Sequence, residues 1–301
     1  MKTAVLLMAY GSPTRMEDVM GYLEGIYEGK PVPQYAIDEN TKKYRMFGGK
    51  SPSNRIVENV AEKLSSSLSA DGDFRVFLGN KHWKPTLDDA VSAISGFSPE
   101  NVIAIPLFPF PSKNVVNSYR NPLKESLEAS GMDIGLKVVN GFNEQELFLK
   151  SWLDVLEGYV SGFPEDTFYL FSAHSLPTTR SSEENYRQSF LQTAEKLAYM
   201  LGLKHYGAAF QSRGKYGAKW LEPSVEDALE SNLGRMGKTL VAIPLGFIYD
   251  HLEILYDLDY EFGNLVKCRG KEYHRSSLPN DSDTFVSCLK EAVMSAISSN
   301  K

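Results

Sequence analysis

Cysteine is almost missing from this chain: Cys268 and Cys288 are the only two. Two thiols rule out a disulfide framework and any four-thiolate iron–sulfur cluster supplied by the chain alone. Runs of basic charge are missing as well. The formal net charge is -6 and Lys and Arg are dispersed, so nucleic acid is not an expected partner. No apolar stretch is long enough to span a bilayer. The short apolar run at the start, MKTAVLLMAYGSP, breaks after Met8 with no long apolar region or cleavage site behind it, which argues against a secretory signal. A soluble, cytoplasmic protein is the expectation. Several catalytic motifs are absent too. The turn after the first strand carries no G-x-G-x-x-G, which argues against a dinucleotide oxidoreductase. There is no G-x-S-x-G elbow, no H-E-x-x-H and no paired-Cys zinc pattern. Gly49-Lys50-Ser51 echoes a phosphate loop, but Tyr44 stands where that motif needs glycine and no strand precedes it.

What is present is a long alternation of strands and helices. Of the 301 residues, 42% are hydrophobic, enough to bury a large core. Short Val- and Ile-rich runs bounded by turn residues predict strands at 5–8, 75–79, 102–107 and 136–139. A second set is predicted at 167–172, 206–211, 240–244 and, more weakly, 265–267. Helices are expected between them, with a long one at 144–159 and a last one at 284–298. Alternation of this kind argues for parallel sheets with right-handed crossovers. Two sets of four strands predict an α/β protein of two similar lobes, 1–143 and 144–301, with a cleft between them and a last helix that can pack back on the first lobe.

The chemistry concentrates in residues 239–261, TLVAIPLGFIYDHLEILYDLDYE. A buried strand at 239–244 runs into a turn, and Asp250 is placed to cap a helix over 250–262. Asp250, Glu253, Asp257 and Glu261 are spaced three, four and four, so an α-helix puts all four on one face, with Leu252, Leu255, Leu258 and Phe262 on the other. No Lys or Arg between 250 and 261 relieves their repulsion. A solvated acidic face is the plain alternative, but this row begins at a strand end, where open α/β sheets place ligand crevices. It is therefore a candidate path for metal ions or protons. His174, in Ser172-Ala173-His174-Ser175-Leu176-Pro177, ends the first strand of the second lobe. Side chains at the carboxyl ends of neighbouring parallel strands meet in one crevice, and a His beside a carboxylate is a proton-accepting pair near neutral pH. Tyr10 occupies the matching place in the first lobe. His82 is read as structural, with an outer metal ligand as the alternative, and His251 as packed or capping.

Four segments resemble the ferrochelatase family: Leu7-Met8-Ala9-Tyr10-Gly11-Ser12-Pro13, Gly48-Gly49-Lys50-Ser51-Pro52, Ser172 to Pro177, and the stretch from Pro244 to Glu261. They occur in the family's order through most of the chain, and the last two together are specific. The resemblance implies two Rossmann-like, chelatase-like lobes around a porphyrin cleft. It also implies insertion of ferrous iron, a substrate, with release of two pyrrole protons in heme biosynthesis. On that basis His174 and Glu253 are the core pair, and Asp257 and Glu261 continue the metal-handling line. Tyr10 looks like the branch that acts on coproporphyrin III, with protoporphyrin IX as the other porphyrin. Contact with the ring and its propionates falls to Tyr10, Lys30, Arg45, Lys50, Ser51 and Arg120, because Tyr27-Glu28 replaces the Arg pair that well-known bacterial members carry. No tightly bound cofactor is implied, and the chain is expected to be a monomer with at most peripheral membrane contact. A chelatase for cobalt or nickel in another tetrapyrrole, or a carrier without turnover, are the competing readings.

Overall fold

The computed structural model describes residues 2–178, 182–214 and 219–298. The chain divides into two compact units. Unit 1 comprises Met1–Leu107, Asn114–Asn140 and Asp281–Lys301; unit 2 comprises Phe108–Lys113 and Gly141–Asn280.

Unit 1 holds a parallel sheet of β1 (Thr3–Ala9), β2 (Phe74–Asn80), β3 (Asn101–Pro106) and β4 (Gly135–Val138), in the order β2-β1-β3-β4. All seven residues of β1 are buried, as expected of a central parallel strand covered on both faces. A 3₁₀ turn at Met16–Asp18 precedes helix α1 (Val19–Tyr27). Then come α2 (Gln34–Met46), α3 (Ser53–Leu68), α4 (Leu87–Phe97) and α5 (Lys113–Ala129). Leu6, Met8, Phe77, Leu87, Ile94, Val102, Leu123 and Leu127 form one core cluster between sheet and helices. Full burial of each such side chain is worth roughly 1.5–3 kcal/mol. α4 is started by a reciprocal cap: Thr86 Oγ1 accepts from the Asp89 N–H at 3.1 Å, and Asp89 Oδ2 accepts from the Thr86 N–H at 2.8 Å. Gly48 and Gly49 close α2 at φ +74° and +82°, which lets the Gly49 N–H donate to Tyr44 O at 2.8 Å.

Unit 2 repeats the pattern. β5 (Phe168–His174), β6 (Tyr206–Gln211), β7 (Thr239–Ile243) and β8 (Glu272–Arg275) form a parallel sheet in the order β6-β5-β7-β8. The helices are α6 (Glu146–Val160), α7 (Ser182–Met200), α8 (Val225–Asn232) and α9 (Gly263–Cys268). The closing helix α10 (Asp283–Ser298) belongs to unit 1, where Lys290 pairs with Asp71 at 2.5 Å and donates to Ser67 O at 2.9 Å.

Two expectations are corrected. The weak strand at 265–267 is helix: no breaker intervenes before Gly270, which ends α9 at φ +73°, and β8 follows at Glu272. The acidic segment is no ordinary α-helix over 250–262. It is helical from Leu252, and Ile254–Phe262 is a π-helix, a rare wide form with i→i+5 bonding. Its buried residues are Ile254, Tyr256, Leu258 and Phe262, whereas Leu255 is only half-buried. The wider turn rotates the face that an α-helical wheel assigns.

Candidate active site

In both sheets the strand order runs 2-1-3-4, so successive connections leave in opposite directions at the first and third strands. Open α/β sheets bind ligands outside the carboxyl ends of the strands at such a switch point. In unit 2 these are β5 and β7, which are hydrogen-bonded neighbours. His174 is the last residue of β5, and the loop after β7 leads into the π-helix. Gly246 draws that loop inwards. Its N–H donates to Ser172 O at 2.9 Å, and a Cβ there would stand 2.5 Å from Ala173 Cα, so only glycine fits.

The result is a direct pair: His174 Nε2 lies 3.3 Å from Glu253 Oε1. The side chains are 30% and 40% exposed, so the pair opens to solvent without being fully screened. His174 Nδ1–H donates to Ser175 O at 2.6 Å, which leaves Nε2 as the nitrogen that exchanges a proton with Glu253. The backbone beneath is held as well. Tyr186 OH donates to His174 O at 2.8 Å, and the Ser175 N–H donates to Gln211 O at 2.8 Å. Burial by itself pushes the imidazole towards neutrality. The Glu253 carboxylate, the Ser175 carbonyl and Asp257 overcome that and raise its pKa from 6.5 to about 9. At neutral pH the pair therefore holds a proton between them.

Asp257 stands one turn further along and accepts from Ser212 Oγ at 2.5 Å, while Glu261 is exposed at the end of the row. Ser212 follows β6 with φ +59° and was not singled out from sequence. Its only signal there is its place one residue past a strand end. Beside His174 in the parallel register, the buried Gln211 accepts from Ser172 Oγ at 2.8 Å. Among the described residues no three His, Cys, Asp or Glu side chains are gathered as a metal cage.

Asp250 is not the helix cap that its sequence position suggests. The Ile254 N–H donates to His251 Nδ1 at 3.2 Å, and Asp250 instead accepts from Asn280 Nδ2 at 3.0 Å and forms an ion pair with Arg275, Nη2 to Oδ1 at 3.0 Å. Nor is the acidic segment uncompensated: the relieving cation, Arg275, lies outside the stretch and also holds Asp259. Packing thus splits the acids that an α-helical wheel would align.

Unit 1 carries the other candidates. Tyr10 follows β1 at that sheet's switch point; it is 45% exposed, with its ring 4.5 Å from that of His82 and 6.5 Å from that of Tyr22. His82 Nδ1 sits 3.2 Å from Gly25 O, a contact that ties it to α1. Lys30, Arg45, Lys50 and Arg120 are exposed. Ser51 is buried, and its hydroxyl shares a 2.9 Å hydrogen bond with Ser53 at the start of α3. Phe110 packs edge-on to Phe148, Tyr186 and Phe190 in unit 2.

Two parallel sheets of the same strand order, one presenting a His–carboxylate pair at its switch point, define a chelatase-type α/β protein. The siroheme enzyme CbiX of denitrifying bacteria superposes with a TM-score of 0.59 at 14% identity, covering 97% of this chain and 99% of that one. SirB from Bacillus subtilis with Fe³⁺ gives 0.58 at 13%, covering 98% and 96%. The ferrochelatase family profile matches residues 2–297. A ferrochelatase of Thermoplasma acidophilum is 45% identical over 99% of this chain and 92% of its own length. A coproporphyrin III ferrochelatase of Listeria monocytogenes is 32% identical over 97% of each. The chain belongs to the ferrochelatase family, lyases of heme biosynthesis. No helix among the described residues is long and apolar enough to cross a membrane.

Proposed function

We propose that the protein inserts ferrous iron into coproporphyrin III in preference to protoporphyrin IX, releasing the two pyrrole protons. The observation that carries the reading is the 3.3 Å contact between His174 Nε2 and Glu253 Oε1 at the switch point of unit 2. Coproporphyrin III is favoured by the name of the Listeria relative and by Tyr10 in the first turn.

The proton inventory follows from the pair. Nδ1 is committed to Ser175 O, so Nε2 is the site that accepts. A proton shared by His174 and Glu253 can rest on the carboxyl, which leaves a neutral imidazole to take one from a pyrrole. Glu253, Asp257 and Glu261 then carry protons outwards and hydrated cations inwards. Carboxylates suit hydrated divalent ions, and a spaced row passes an ion on where a closed cage would retain it. Binding the macrocycle bent would expose nitrogen lone pairs and favour the transition state. Tyr10 contacts the ring in this reading, with Lys30, Arg45, Lys50, Ser51 and Arg120 as candidates for its polar edge. The reaction runs in the cytoplasm on a monomer without a tightly bound cofactor, which cell fractionation, sedimentation and metal analysis of the purified chain test.

Anaerobic incubation with coproporphyrin III and ferrous iron is the deciding experiment. Multiple turnovers support the reading. Activity only with cobalt or nickel in another tetrapyrrole, or stoichiometric binding without turnover, overturns it.

A further inference from the structure

We infer that Arg275 is the positioning residue that clamps the acidic π-helix at both ends of the Glu253–Asp257–Glu261 row. Arg275 ends β8, where it is in register with Ala242 of β7, and the next residue's N–H donates to Ala242 O at 3.0 Å. Its guanidinium grips Asp259 with both arms: Nε to Oδ1 at 2.6 Å and Nη2 to Oδ2 at 3.1 Å. Nη2 also reaches Asp250 Oδ1 at 3.0 Å, and Nη1 donates to Ser276 O at 2.9 Å. Asn280 completes the hold, its Oδ1 accepting from the Asp250 N–H at 2.8 Å and its Nδ2 donating to Asp250 Oδ2. The Arg275 side chain is only 14% exposed.

The placement sorts the acids across the sheet. Residues 250–261 carry five carboxylates. In the order β6-β5-β7-β8 the π-helix follows β7. Asp250 and Asp259 are drawn to the β8 side by Arg275. Glu253 and Asp257 are drawn to the opposite side, by His174 on β5 and Ser212 after β6. One fixed cation thus pairs with the two acids that take no part in the row and offsets one of their two charges. It also pins the backbone three residues before Glu253 and two before Glu261. A π-helix is an unfavourable form that needs its surroundings to impose it, and a planar fork binding two carboxylates imposes a register that a Lys point charge cannot.

The consequence for metal handling rests on the proposed role of the row; the clamp itself does not. The test compares Arg275→Met and Arg275→Lys by backbone hydrogen exchange and by iron titration at saturating porphyrin. In Arg275→Met, amides of 254–262 should exchange about tenfold faster or more while those of β5 and β7 keep their protection. KM for ferrous iron should rise about fivefold, with porphyrin affinity unchanged and Arg275→Lys intermediate. Unchanged exchange over 254–262 overturns the clamp, and so does a uniform rise through β5 and β7, which would make Arg275 a general stabiliser. If Arg275→Met does not fold, Arg275→Lys and Asp259→Asn decide by the same criterion. Local loosening with an unchanged iron KM leaves the clamp standing and counts against the role of the row.

Discussion

Glu253→Gln separates the electrostatic role of the pair from its shape. The amide keeps the size and helical position of the side chain and removes one charge 3.3 Å from His174 Nε2. At that separation a unit charge is worth about 1 kcal/mol if fully screened by water and about 5 kcal/mol at an effective dielectric near 20. Side-chain exposures of 30% and 40% place the pair towards the screened end, so about 1–2 kcal/mol is expected. Each pKa unit corresponds to about 1.4 kcal/mol, so the His174 pKa should fall from about 9 by about one unit or more. Burial, which opposes the imidazolium, is then countered only by the Ser175 carbonyl and Asp257. The sign for stability is set by the raised value. The folded pKa exceeds the unfolded 6.5, so the pair's contribution is fully present below about pH 6.5 and is lost as pH rises through about 9. The excess melting temperature of wild type over Glu253→Gln should therefore be larger at pH 6 than at pH 9.5. Imidazole NMR titration of both proteins measures the shift directly, and kcat of the variant with saturating iron and porphyrin should drop. If His174 titrates at the same pH in both proteins, the electrostatic account of the pair is wrong.

Three further outcomes are expected. His174→Ala should lower metal insertion about 10²- to 10⁴-fold while porphyrin still binds, read by turnover alongside porphyrin absorbance titration; wild-type turnover would remove His174 from the mechanism. Glu261→Gln should weaken the dependence of rate on iron concentration and leave the porphyrin titration unchanged, whereas an acid that is only solvated should change neither rate nor stability beyond about half a kcal/mol. A kcat/KM comparison should favour coproporphyrin III over protoporphyrin IX, and an equal or reversed preference would count against the reading of Tyr10.

The class of fold and the two chemical segments were legible in the sequence. Buried parallel strands such as β1 are apolar almost throughout, and that pattern is local, so strand positions and strand–helix alternation were legible without contacts. The turns bearing His174 and the acidic row stood out because their residue types sit at strand ends. Tertiary structure alone decided which strands lie side by side. Only the β5–β7 pairing and the close approach at Gly246 turn residues 79 positions apart in the chain, 174 and 253, into a 3.3 Å pair. It likewise decided the form of the acidic helix. A wheel drawn at 3.6 residues per turn grouped Asp250 with Glu253, whereas packing produced a π-helix with Asp250 turned to Arg275. Arg275 was invisible from the acidic segment because its strand comes later in the chain. Charge compensation depends on distance in space, and a window of sequence counts only its own charges. Leu265-Val266-Lys267 failed for a related reason: three residues satisfy a strand or a helix equally, and the helix already under way before them settled the choice.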